Sequence, residues 1–170
     1  MCSFDVANLF TNIPLEETIQ ICLDTFYRDE QIEQPSLPEI LLKKLLLKAT
    51  SDVEFSFDGI MNQQIDGEAM SSPLGPMLAN ILIGHIEARI LEVCSPLFCD
   101  RFVDDTFAVF SSENESNGFL QRLIGLHHEL KFTVEGERDS QLPFMEVFVK
   151  RVGSEFIQSV YWSWSSGPSS

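Results

Sequence analysis

The alternation of apolar and polar positions changes period several times along this chain, and each change marks an element. Residues 3–6 read as a short buried strand that carries one odd residue, Asp5, an acid inside an apolar pattern. Such a group costs free energy unless it is paired or bound to a cation. Pro14 then opens a helix to about Asp29, with Glu16 and Glu17 in the first turn, where the helix dipole favours them. Ile19, Cys22, Leu23 and Phe26 form its core face. A polar stretch over 30–38 with two prolines reads as a connector, and Ser36 caps a second helix to about Ala49. Its spacing turns Ile40, Leu41 and Leu45 inward, with Leu47 at the margin, and Lys43, Lys44 and Lys48 outward. Residues 53–57 alternate strictly, Asp58-Gly59 is a hairpin turn signal, and 60–65 return as the partner strand.

A loop of small residues over 68–76 leads into a long helix from about Pro76 to Val93. Its Ser, Gly and Pro content allows a ligand close to the backbone, and a helix N-terminus favours anions. Next comes RFVDDTFAVF over 101–110, where two aromatic or β-branched runs flank Asp104-Asp105, which supply the turn chemistry of a hairpin. Residues 111–118 read as a loop, 119–130 as an amphipathic helix, and 131–135, 143–150 and 156–161 as strands. Together these elements predict an α+β domain over 1–161, a small antiparallel sheet backed by helices. Residues 162–170 form a Ser-rich tail, expected to be disordered and outside the fold.

Composition narrows the partners. With 44% hydrophobic residues and 14 Phe among 170 the chain is globular, yet 11 Lys and Arg against 26 Asp and Glu give a net charge of −15. A domain that grips a phosphate backbone unaided is basic, so this chain is no self-sufficient nucleic-acid binder. Cys2, Cys22, Cys94 and Cys99 show no paired spacing, and the three histidines show no zinc-ligand spacing. The longest apolar run, 77–86, is too short to span a bilayer and is broken by Asn80 and Gly84, so no membrane partner is expected. An intracellular, reduced protein follows as the expectation.

An isolated Asp-Asp pair is a common solvated turn. It gains chemical meaning beside a third carboxylate, because like charges at a hairpin tip repel each other and hard oxygen donors suit Mg²⁺.

Four segments stand in an order that resembles the palm of reverse transcriptases, most closely the Penelope-like retroelement family. They are SFDVANLFTNIP over 3–14, DGEAMSSPLGPMLAN over 66–80, RFVDDTF over 101–107 and LPFMEVFVKR over 142–151. The resemblance implies a polymerase palm, a ferredoxin-like antiparallel sheet backed by helices, and RNA-directed DNA polymerase activity by two-Mg²⁺ nucleotidyl transfer to a primer 3′-hydroxyl, with Mn²⁺ as a possible substitute. Asp5, Asp104 and Asp105 correspond to the catalytic acids and, with the Val6 carbonyl, to the metal ligands; Asp104 matches the bridging carboxylate and Asp105 its auxiliary. Phe10 matches the aromatic gate under the deoxyribose. Met70, Ser71, Ser72 and Pro73 match the nucleotide-pocket loop, where the family usually has Gly in place of Ser71; it also has Tyr in place of Phe102. Glu146, where the family often has Asp, reads as structural.

The implied partners are an RNA template with its DNA primer, deoxynucleoside triphosphates, and the fingers, thumb and endonuclease regions of the same polyprotein, which this stretch is expected to lack. Their absence would account for the acidic balance. A nuclear location follows from the same likeness. Two alternatives stay open on sequence: an inactive remnant or co-opted binding module that keeps the palm fold, and a related polymerase of the group II intron or telomerase type.

Overall fold

Strand β1 (Cys2–Ala7) occupies an inner position of a four-stranded antiparallel sheet in the order β4 (Phe98–Phe102), β5 (Asp105–Val109), β1, β6 (Lys131–Gly136). A computed structural model describes residues 1–50, 54–63, 72–153 and 155–160 of the chain. Helices α1 (Leu15–Arg28), α2 (Glu39–Thr50) and α3 (Gly75–Leu91) fall between β1 and β4, and α4 (Glu113–Leu126) between β5 and β6. Leaving aside the inserted hairpin of β2 (Glu54–Phe57) and β3 (Ile60–Gln63), the order is the βαββαβ of the ferredoxin-like motif. The expected α+β palm layout is therefore present. A second antiparallel sheet, β7 (Gln141–Phe144), β8 (Val147–Val152) and β9 (Glu155–Val160), follows it.

The period-2 pattern of β1 decides how the helices cover the sheet. Cys2, Phe4 and Val6 are buried against Leu82, Ile83, Ile86 and Ile90 of α3 and Phe119 and Leu123 of α4. Phe4, Phe110 and Phe119 pack ring against ring with centroids 5.1–6.3 Å apart. A second apolar cluster joins Ile19, Cys22 and Leu23 of α1 to Leu46 of α2 and Leu78 of α3, as the first helix's spacing predicts.

The second helix turns a different face inward. Ile40, Leu41 and Leu45 are 73%, 44% and 52% exposed, whereas Leu46 and Thr50 are buried and Leu42 and Leu47 pack against the α1–α2–α3 cluster. With Leu at 41, 42, 45, 46 and 47 the segment is apolar almost all round, so its own period cannot choose a face; α1 selects Leu42, Leu46 and Thr50, at i, i+4 and i+8. Lys43 donates a 3.2 Å hydrogen bond to Gln20 Oε1 and is half-buried.

Three further boundaries depart from expectation. Helix α4 starts six residues early, at Glu113, because Ser112 is an N-cap: its hydroxyl accepts from the Glu115 N–H at 3.3 Å, and the Glu115 carboxylate accepts from the Ser111 N–H at 3.2 Å. The single strand expected over 143–150 is a hairpin, β7 and β8, turned at Met145-Glu146 with Met145 at φ 55°. In the acidic hairpin the turn residues are Val103 and Asp104, while Asp105 pairs with Phe102 inside the ladder. A turn at Asp104-Asp105 would pair Val103 with Thr106 and set Phe110, in place of the buried Ala108, opposite Cys99. The Asp58-Gly59 turn is as expected, with φ 51° and 74° as a type I′ turn requires. Residues 53 and 64–65 of that hairpin, residue 161 of the last expected strand and the 162–170 tail lie outside the described residues.

Candidate active site on the open face of the sheet

While Cys2, Phe4 and Val6 face the helices, Ser3 and Asp5 face the opposite side of β1. Across β1 and β5, Ser3 pairs with Phe107 and Phe4 with Thr106; one step further along this register, Asp105 comes alongside Asp5. On the other flank Asp5 pairs with Thr133 of β6. Asp5 and Asp105 line one cavity of about 580 Å³ with Ser3, Thr133, Glu135 and the residues Pro143, Phe144 and Met145 at the β7–β8 turn. The Phe107–Phe144 contact, centroids 5.5 Å apart, seats that turn against the open face.

Asp104 sits at the tip of the β4–β5 hairpin and lines a crevice on the helix side with Arg101, Glu87 and Thr106. The two neighbouring acids nevertheless act on Asp105. The Asp105 carboxyl is pushed above its ordinary range, first by burial, then by the charge of Asp104, then by that of Asp5. Thus it is Asp105, expected as the auxiliary acid, that shares the open-face cavity with Asp5, and Asp104 approaches from the tip.

The hairpin is held in an uncommon shape. Val103 has φ 59°, a left-handed conformation that a β-branched residue rarely adopts. The Arg101 side chain, only 12% exposed, closes over this turn. Its Nη1 donates to the Val103 carbonyl and to Asn80 Oδ1, both at 2.9 Å, and its Nε donates to Glu87 Oε2 at 3.1 Å. Neither Asn80 nor Glu87 stood out as a site residue in the sequence. Their signal was faint: two polar residues seven apart on one face of a largely apolar helix that also carries His85 and Arg89.

The remaining expected residues are distributed as follows. The Val6 side chain is buried in the core, which leaves only its backbone carbonyl as a possible ligand. Phe10 lies in a single 3₁₀ turn (Phe10–Asn12) and packs partly against the main core. That turn is fixed by Asn8, at φ 53°, whose carbonyl accepts from Asn12 Nδ2 at 2.8 Å and Thr11 Oγ1 at 3.0 Å. Ser72 and Pro73 lead into α3; the Ser72 hydroxyl accepts from the Leu74 N–H at 3.2 Å and its carbonyl from the Gly75 N–H at 3.1 Å. Met70 and Ser71 lie outside the described residues.

The donor set is all oxygen, as a hard divalent cation prefers. Among the described residues no three of His, Cys, Asp and Glu gather closely enough to hold a metal by themselves. Mg²⁺ commonly binds through one or two carboxylates and completes its shell with water and substrate phosphates, and Asp5 and Asp105 are the two carboxylates that share the open-face cavity. No helix among the described residues is long and apolar enough to cross a membrane.

No family model matches the sequence, and no curated protein does. Solved structures do. Apo telomerase from Candida tropicalis, truncated from its C-terminal domain, superposes on 93% of this chain with a TM-score of 0.67 at 11% identity. Telomerase from Candida albicans, in complex with a fragment of telomeric RNA, superposes on 88% with a TM-score of 0.64 at 12% identity. This chain spans 35% and 30% of those chains, about a third of each. At such identities the likeness concerns the backbone alone: the chain has a reverse-transcriptase-like palm fold.

Proposed function

We propose that this chain is the palm of an RNA-directed DNA polymerase of the Penelope-like type, acting on an RNA template with a DNA primer and on deoxynucleoside triphosphates. The observation that carries the reading is the convergence of Asp5 and Asp105 on one open-face cavity from adjacent central strands, with Asp104 near enough to raise the Asp105 pKa. The Asp105 carboxylate, whose charge is disfavoured by burial and by the charges of Asp104 and Asp5, stands where a divalent cation would lower the energy. Two Mg²⁺ bound there would supply Lewis-acid activation of the primer hydroxyl and neutralisation of the departing pyrophosphate. The Penelope-like assignment rests on the four motifs.

The chain's own residues do the rest. Asp5 and Asp105 would hold the cations from adjacent strands of the sheet, and Asp104 would add charge at the tip. Phe10, on its 3₁₀ turn five residues beyond Asp5, matches by its motif the aromatic gate that stacks under the deoxyribose and excludes a 2′-hydroxyl. Ser72 and the N-terminus of α3 offer polar groups to the incoming nucleotide. The basic groups that hold template and primer lie in other regions of the polymerase, consistent with the net charge of −15.

Calorimetric titration of the chain with Mn²⁺ in the presence of a deoxynucleoside triphosphate tests the reading. Asp5→Asn and Asp105→Asn are each expected to weaken Mn²⁺ uptake at least tenfold. Equal uptake by wild type and both variants would remove the acidic cavity as the cation site.

A further inference from the structure

Arg101 shares the helix-side crevice with Asp104 and bonds the backbone that carries both hairpin acids. Its partners Asn80 and Glu87 lie on one face of α3, and the guanidinium passes over Gly84 between them at ordinary contact distance, 3.7 Å from where a Cβ would stand. The helix beneath is anchored by Leu82, Ile83, Ile86 and Ile90, all buried against β1. The guanidinium is therefore oriented by the core. Its remaining bond goes to the Val103 carbonyl, within the turn whose φ of 59° a β-branched residue resists. A peptide held in this way decides where the next two side chains point.

The charge of Arg101 is met by Glu87 at 3.1 Å, so it orders the turn while its charge is spent on α3. A guanidinium suits this task because its planar fork reaches a backbone carbonyl and two side-chain oxygens at once, which an ammonium does poorly.

We propose that Arg101 is a positioning residue: through the Val103 carbonyl it locks the Val103–Asp104 turn to α3, so that Asp104 and Asp105 present their carboxylates in one fixed arrangement. The cation-related part of this inference rests on the proposed function; the locking of the turn does not.

The test compares the whole chain as wild type, Arg101→Gln, Arg101→Lys and Asn80→Ala. Hydrogen exchange of the β4–β5 hairpin reads the lock. Arg101→Gln is expected to speed exchange at 102–106 at least fivefold and to leave β1 and α1 unchanged, with Arg101→Lys in between. Mn²⁺ titration reads the consequence: Arg101→Gln is expected to bind at least tenfold more weakly, although it touches no cation. A merely structural arginine would lower the melting temperature and leave both the hairpin exchange and the Mn²⁺ affinity of the folded chain as in wild type, which overturns the inference. If wild type takes up no Mn²⁺, the polymerase reading fails, and hairpin exchange alone decides on Arg101. Should Arg101→Gln not fold, Asn80→Ala, which removes one exposed partner, is expected to speed hairpin exchange at least twofold; unchanged exchange there overturns the lock.

Discussion

Asp5 lies beside Asp105 on the open face of the sheet, and its charge joins burial and Asp104 in raising the Asp105 pKa, as the last and smallest of the three. A raised pKa means that the folded chain binds this proton more tightly than the unfolded chain does. The stability tied to it is fully present below the ordinary value of 3.8 and is lost as pH climbs through the raised value. Asp105→Asn removes the charge. The variant is expected to be more stable than wild type at pH 7, with the gap closing as pH falls to about 3; urea unfolding at both pH values measures it, and a gap independent of pH would contradict the arrangement.

The orientation of α2 has a direct check in two neighbouring leucines. Leu46 is 7% exposed within the α1–α2–α3 cluster, and Leu45 is 52% exposed. Leu46→Ala is expected to cost about 2–4 kcal/mol in denaturant unfolding, and Leu45→Ala to stay within about 0.5 kcal/mol of wild type. The reverse order would mean that the helix presents the face its sequence period suggested.

Val103 offers a test of the turn by relief of strain. Its side chain is 39% exposed and its φ of 59° suits asparagine far better. Val103→Asn is expected to raise stability by about 1 kcal/mol, since the left-handed penalty for such a residue is about 1–2 kcal/mol. Calorimetry of the thermal transition measures it. A loss of stability would place Val103 in the strand instead.

The thiols report on the same sheet. Burial pushes Cys2 and Cys99 up to about 11, with Glu87 and Asp100 adding to the effect at Cys99, and burial also raises Cys22. Only the thiolate is a good nucleophile. At pH 8, alkylation of these three is expected to be at least tenfold slower than in the urea-unfolded chain, as peptide mapping by mass spectrometry would record. Equal rates would show that β1, β4 and the core face of α1 are open to solvent.

What could be read in the sequence was what short-range chemistry decides. The alternation around Asp5, the Ile19-Cys22-Leu23 face and the Asp58-Gly59 turn each depend on residues within one turn or one strand. The start of α4 was of that kind too: Ser112 and Glu115 form an N-terminal signal that was read as loop because the stretch is polar. The face of α2 could not be read, since a helix with leucine at five of seven successive positions takes its orientation from its neighbour. The same holds for the acidic turn. Asp104-Asp105 carries the stronger local turn signal, but the pairing of Phe102 with Asp105 and the bond from Arg101 to the Val103 carbonyl move the turn back by one residue. Asn80 and Glu87 could be linked to the acids only through space, across more than a dozen intervening residues.

The inner place of β1 also sets an order of events. Its two ladder partners, β5 and β6, lie about a hundred residues downstream, so pairing with either must close a very long loop before any contact rewards it. Helices α1 and α2 and the β2–β3 hairpin need no such closure. Refolding is therefore expected to show early helix and late sheet, with the slow phase set by capture of β1. During synthesis, Phe4 and Val6 wait exposed until α3 leaves the ribosome, and β1 has no ladder partner until β5 follows, a span in which this strand is the segment most open to wrong partners. The acids meet only at that last step, so a partly folded chain has no cavity in which to collect a cation.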